Sequence, residues 1–449
     1  MSRLARRTRI RGALAVLLCA LAWTALQLAP PASATPTLTA SMVTNAIGTT
    51  NVTPMWGPQI NKVVYDGSWY YSVVMNGSGT QHPWNAEIWE SPDGVNWTKA
   101  VEIGPWVYQP PGLLLDSGNR LWLTLPCFTG GACYPGASTL AGSPQQYVYL
   151  QRLQFSSKLA NGSFDFSTFN QYSVLSATNG QRYYRGESMD PSRRYIYTAY
   201  TDLNWGLNFS TFDTWTDTES THVIGTPGTS PQEGYLYPRV RPGTAAGEIW
   251  LLFDQDYTAQ SSTSIFGVQL WHSTDGGATW SGFMVASCPS PDNSNYCESS
   301  DLVIDQNDVP NVLYGKVIGG VSHLYYWKGT AGSVTLTGSP TDLGPYDSHA
   351  AMSFVGSGTR FIFAHVGAAT DDTLDPNLQV LSSTDGGATW TANPMPVPNA
   401  GIIYSPTVMR PESGSFHSEG TNVFSMLLSS TPTGATSVRS QVQFVTYSG

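Results

Sequence analysis

Ser383-Thr384-Asp385-Gly386-Gly387-Ala388-Thr389-Trp390 recurs without a change as Ser273-Thr274-Asp275-Gly276-Gly277-Ala278-Thr279-Trp280. A shorter relative, Ser91-Pro92-Asp93-Gly94-Val95-Asn96-Trp97, makes a third copy. Each copy follows a strand-like run ending in a polar residue (Ile88-Trp89-Glu90, Leu270-Trp271-His272, Val380-Leu381-Ser382) and precedes another strand-like run, so each is read as the turn of a hairpin. The residue types suit that task. The Asp carboxylate can accept hydrogen bonds from the turn's own amides, the glycines reach positive φ, and the Trp plugs the space beneath.

The pattern is that of the Asp-box, or BNR repeat, and on these three stretches the chain resembles the Asp-box β-propellers, whose best-known members are the sialidases. The resemblance implies an all-β propeller of four-stranded blades. Spacing then counts the blades. Asp93 and Asp275 lie 182 residues apart and Asp275 and Asp385 lie 110 apart, which fits three and two periods of about 55–61 residues. Spread over residues 35–449, this period gives seven blades, with the six of the sialidases as the alternative. A second count agrees. A strand, a tight turn and an aromatic-rich strand open seven units: Gln59 to Val74, Gln109 to Leu125, Glu187 to Tyr200, Tyr237 to Phe253, Glu298 to Gly315, Asp347 to Ala364 and Tyr404 to Leu428. The stretch Thr37 to Asn45 is expected to pair with the last blade and close the ring, leaving no free sheet edge.

Residues 1–34 carry five arginines, then an apolar run from Ala13 to Ala29, then Ala32-Ser33-Ala34, which reads as a secretory signal cut before Thr35. The apolar run is short of the ~20 residues a membrane span needs. Four of the five cysteines remain beyond it, in the close pairs Cys127 with Cys133 and Cys288 with Cys297, expected as two local disulfides of an exported protein. Neither loop holds a His, which argues against a metal site. A charged fraction of only 12%, with 44 Gly and 30 Pro, argues against helices and disorder. The formal charge of −10 makes nucleic acid and anionic membrane surfaces poor partners. A monomer with a glycan substrate is expected. No cofactor is expected either, with a structural Ca²⁺ at Asp254/Asp256 or Asp371/Asp372/Asp375 as the open alternative.

In a propeller the first strand of each blade starts at the top beside the central channel, and the Asp-box turns face the bottom. The first-strand beginnings are polar: Gln59 and Asn61, Gln109, Arg185 and Glu187, Tyr237 and Arg239, Glu298 and Asp301, Asp347 and His349, Tyr404. The top loops add His82 and Trp84, Asn204 and Trp205, Tyr257 and His365. An axial pocket follows, with Glu187, Glu298, Asp347, His349 and Tyr404 as candidate catalytic residues. Arg185, Tyr237, Arg239, His82, Trp84 and Asp301 are the candidate substrate contacts.

Three functions fit such a pocket. A glycoside hydrolase needs an acid and a second carboxylate, and Glu187, Glu298 and Asp347 offer them from three blades. The sialidase resemblance implies that Arg239, after Glu233, matches a substrate-clamping Arg and that Tyr404 stands for the nucleophile. The first strand, however, reads Gly57-Pro58-Gln59-Ile60-Asn61-Lys62, without the Phe/Tyr-Arg-Ile-Pro motif of that family. A polysaccharide lyase needs a cation to neutralise a uronate and a His or Tyr to move the proton, which His349, Tyr404, Tyr237, Arg239 and Arg185 could supply. A non-catalytic sugar-binding propeller would repeat one pocket in every blade, whereas these channel residues differ from blade to blade. The sequence therefore ranks the hydrolase first, the lyase second and the lectin-like role third.

Overall fold

The computed structural model describes residues 35–45, 47, 60–76, 84–107, 110–128, 133, 135, 148–173, 181–202, 206–225, 234–258, 264–290, 296–355, 359–364, 376–411, 423–433 and 441–449. The proposed signal segment, residues 1–34, lies outside them. Residues 38–447 form one compact unit.

Strand-forming runs broken by Gly, Asp and Asn turns give an all-β chain of seven four-stranded blades arranged in a ring. The inner strands, in order, are Val63–Tyr65, Gly112–Leu115, Gln181–Met189, Gly234–Pro242, Cys297–Ile304, Ala351–Val355 and Ala400–Val408. They begin the seven units expected from the sequence. Blade 5 carries one additional short strand, Ser333–Leu336, beside its third. The N-terminal strand Thr37–Thr44 bonds to Gln441–Ser448 as the outer strand of blade 7, so the ring is closed as expected. Both disulfides, Cys127–Cys133 and Cys288–Cys297, are formed.

Burial grades outward along each blade. In blade 3 the second strand, Tyr195–Asp202, is buried on both faces, while the outer strand, Thr218–Gly225, is largely solvent-exposed. Apolar layers such as Val64, Tyr71, Leu113 and Leu123 fill the space between neighbouring blades.

The repeated turn joins the third and fourth strands of blades 1, 4 and 6. Its two identical copies share one set of hydrogen bonds. Ser273 Oγ donates to Asp275 Oδ1 (2.8 Å) and accepts from Gly277 N (2.9 Å), and Thr279 donates to both Asp275 oxygens. Ser383, Asp385, Gly387 and Thr389 repeat this set. These donors, Thr279 first, hold the Asp275 carboxyl down at about 2.

The turn also locks blades together. A Cβ on Gly277 would lie 2.5 Å from the Phe209 ring, and one on Gly387 would lie 2.4 Å from Tyr326. Both glycines sit at positive φ. Trp280 and Trp390 meet the same two rings edge-on, and Trp97 of blade 1 meets Phe444. In every case the partner stands on the third strand of the preceding blade. The Asp shapes the turn, the Gly lets an aromatic in, and the Trp covers it.

One contact between inner strands positions the axial residues. A Cβ on Gly186 of blade 3 would come 2.1 Å from the Pro238 carbonyl oxygen of blade 4 and 3.0 Å from Arg239 Cα. Both obstacles are backbone. Gly186→Ala is therefore expected to cost about 1–3 kcal/mol, read as a lowered midpoint in thermal or denaturant unfolding.

Candidate active site at the axial mouth

The inner strand of blade 4 turns at Tyr237. Its φ of +48° is in the left-handed region, which a Tyr seldom occupies, and the pairing with the second strand slips between Leu236 and Arg239. The bulge sets the Tyr237 ring against Tyr184 of blade 3, with centroids 4.2 Å apart and the two hydroxyls at 3.4 Å. Burial, reinforced by Tyr184 and Glu298, pushes the Tyr237 hydroxyl far above the ordinary tyrosine value, so it keeps its proton.

Arg239, two residues on, is buried. Its Nη1 donates to the Tyr237 carbonyl at 3.1 Å and to the Ser299 hydroxyl of blade 5. Its Nε has no acceptor among the described residues. Burial lowers its pKa, and Asp254, Asp301 and Glu298 oppose that effect. Asp254 accepts from Ser299 N at 2.6 Å, and burial, then the charge of Glu298, pushes it up to about 8.

Glu298 and His349 complete this side. The backbone between blades 5 and 6 carries Asp347, Ser348 and His349 to the axis. Ser348 Oγ donates to Glu298 Oε2 at 2.7 Å. Asp347 Oδ1 lies 2.6 Å from His349 Nδ1 and also accepts the His349 amide at 2.7 Å. A carboxylate on Nδ1 selects the tautomer with its lone pair on Nε2. That atom stands 3.9 Å from Glu298 Oε1. The His349 side chain is 22% exposed and Glu298 19%, against 9% for Asp347, so imidazole and Glu298 meet solvent while Asp347 supports from behind.

The opposite side of the axis holds a separate cluster. Arg185 Nε donates to Glu187 Oε1 at 3.2 Å, its Nη2 donates to the Thr124 carbonyl, and both side chains are buried. Lys62 of blade 1 is buried beside them, and desolvation, then Arg185, lowers its pKa well below the usual lysine range. Glu187 Oε2 has no hydrogen bond among the described residues and faces Gly112, where a Cβ would sit 2.8 Å away.

The sequence-derived candidates thus divide. Tyr237, Arg239, Glu298, Asp347 and His349 come together at one mouth, and Arg185 with Glu187 forms a buried pair across it. Asp301 lies lower on its strand. Its Oδ1 accepts from Arg241 (3.1 Å) and Leu302 N (2.8 Å), and its Oδ2 from Met352 N (2.7 Å) and Arg410. Tyr404 is buried on the inner strand of blade 7 opposite Ser429, and Trp84 is buried at the start of a third strand. His82, Gln59, Gln109, Asn204, Trp205, His365 and residues 371–375 lie outside the described residues. No group of three His, Cys, Asp or Glu able to hold a metal ion is found among the described residues. Tyr184, Ser299 and Ser348 were not expected. Their contacts join strands about 50 to 60 residues apart in sequence, and nothing local marks them.

No protein-family model and no curated protein matches the sequence. Solved structures share the fold. A PL25 polysaccharide lyase, an ulvan lyase bound to -[GlcA(1-4)Rha3S]-, is 10% identical, with a TM-score of 0.60 over 91% of this chain and 95% of that one. The polysaccharide lyase Uly1 is also 10% identical, with a TM-score of 0.57 over 92% of this chain and 99% of that one. The chain is a seven-bladed β-propeller similar in fold to these two structures.

Proposed function

We propose that this chain is an exported polysaccharide lyase that cleaves a uronic-acid-containing glycan by β-elimination at the axial mouth. The observation that carries the reading is the imidazole of His349, fixed at Nδ1 by Asp347 at 2.6 Å and sharing Glu298 as a neighbour with Tyr237 and Arg239. His349 Nε2 takes the proton α to the substrate carboxylate. Arg239 offsets the charge that gathers on that carboxylate, and Tyr237, which holds its proton, supplies it to the leaving glycosidic oxygen. The bond from that oxygen to C4 breaks as the C4–C5 double bond forms. The two similar folds named as polysaccharide lyases lend support, and two disulfides with an N-terminal signal-like segment support export.

A glycoside hydrolase is the second reading, ranked first by sequence alone. Among its three proposed carboxylates, Glu187 is tied to buried Arg185 and Asp347 to His349. The observation in its favour is Asp254, which burial and then Glu298 push up to about 8, a protonated acid beside a second carboxyl group. The secreted protein should be screened on uronate polymers and neutral glycans, following reducing ends and the ultraviolet absorbance of an unsaturated uronate in the same wells. Both signals rising together is the expected result. Reducing ends without absorbance would replace the lyase by the hydrolase.

A further inference from the structure

The face opposite the axial mouth carries a cleft that the reaction does not use. It lies between blades 3 and 4 and encloses about 450 Å³, within the ~300–1,000 Å³ of small-molecule sites. Tyr195, Tyr197 and Thr211 form one wall. The other carries only small residues: Thr244, Ala246, Gly247 and Gly276, where Gly276 N donates to the Gly247 carbonyl at 2.9 Å. Both glycines are at positive φ, and a Cβ on Gly276 would meet nothing within 4 Å, so this wall opens directly onto the cleft. Gly276 belongs to the repeated turn. That turn is thus both an inter-blade lock and one side of a recess.

We propose that this cleft is a second, non-catalytic glycan-binding site that holds a segment of the polymer cleaved on the opposite face. The proposal rests on the reading that the substrate is a polysaccharide. Three observations select a sugar chain. The walls set the half-buried Tyr195 ring against small residues and glycine backbone, and sugar rings place C–H faces on aromatics and hydroxyls on peptide groups. Thr211 lines this recess, and its hydroxyl, set just beneath the surface, makes no hydrogen bond among the described residues. The surface also extends in two directions, as a polymer requires. The Arg194 guanidinium stacks on Tyr195 (5.0 Å) and on Trp215 (4.6 Å), a Trp left 61% exposed. At its other end the cleft shares the lip Asp190–Pro191 with a second recess of about 290 Å³, which reaches Arg241 and Pro411 at the lower end of the axis.

The test is native gel electrophoresis in gels cast with a polyuronate, a sulfated uronate polymer or a neutral glucan, run beside turnover assays. His349→Ala is expected to keep the wild-type retardation. Ala246→Trp, which fills the cleft, and Tyr195→Ala, which removes its aromatic wall, are expected to lose at least about threefold of it. Both should turn over a short oligosaccharide as the wild type does and cleave the polymer with a raised KM. Retardation of both variants equal to wild type would overturn the proposal, as would a wild-type protein retarded by none of the three polymers. The elimination assay reads the axial site separately, so a protein that eliminates but is not retarded loses the second site alone. A protein retarded through this cleft that does not eliminate loses the lyase alone.

Discussion

His349→Ala is expected to lower kcat on the responsive polymer by about 10²–10⁴-fold, the usual worth of a positioned general base, with little change in unfolding midpoint. The imidazole is partly exposed, so its loss leaves no large buried cavity. The reason for a large kinetic effect is preorganisation. Asp347 holds Nδ1 at 2.6 Å and the His349 amide at 2.7 Å with the same oxygen, which fixes ring and backbone together. Asp347→Asn should act through His349. It would keep the shape but allow the other tautomer, lowering kcat by less than the His349 change and shifting the pH profile, because the base must be neutral to accept a proton. Added imidazole should restore part of the lost rate in His349→Ala and none in a hydrolase. The decisive comparison is with Glu298→Gln. If that variant loses nearly all activity while His349→Ala keeps it within about threefold, the Asp254 and Glu298 pair would be the chemistry and the elimination reading would fall.

The fold was legible because its signals are local and repeated. Three turns placed at residues 93, 275 and 385 fix blades 1, 4 and 6 by their spacing alone, and the structure puts a third-to-fourth-strand hairpin at each. The closing strand was readable as an unpaired run before the first blade, and the disulfides as close Cys pairs. The contacts made across blades were not readable. The aromatic under each turn glycine, Phe209 beneath Gly277 for instance, lies about one blade away in sequence, and the turn motif does not say which ring fills it. The Tyr237 bulge is hidden for another reason. Left-handed backbone is the mark of Gly or Asn, so a Tyr in that state gives no warning, although it decides how the ring faces Tyr184. Asp301 illustrates the limit most directly. It occupies a polar position on an inner strand like Glu298 three residues earlier, yet one is partly exposed at the mouth and the other is buried below it. Residue type and spacing give both the same reading.

That burial makes Asp301→Ala the largest expected loss of stability, about 3–5 kcal/mol, the usual effect of removing one partner from a buried ion network. The carboxylate of blade 5 accepts from Arg241 of blade 4, the Met352 amide of blade 6 and Arg410 beyond the inner strand of blade 7. Without it two buried guanidiniums would lose the carboxylate they share, and the Met352 amide would lose its acceptor. The pH dependence gives an independent reading. Burial alone would raise the Asp301 pKa, but Arg410 and Arg241 outweigh it and hold the group below the ordinary carboxylate range. A depressed carboxyl stabilises the fold above its unfolded value near 4 and loses that contribution as pH falls through the folded value. The wild type should therefore weaken steeply under acid, and Asp301→Ala should start lower and fall less. Asp301→Asn keeps the shape and loses the charge, so it should lie between them in stability. It should also leave KM unchanged, since all four hydrogen bonds of this carboxylate go to the protein. A raised KM with an unchanged unfolding midpoint would make Asp301 a substrate contact, the role first expected of it, and would move the floor of the active site down to the level of Arg241 and Arg410.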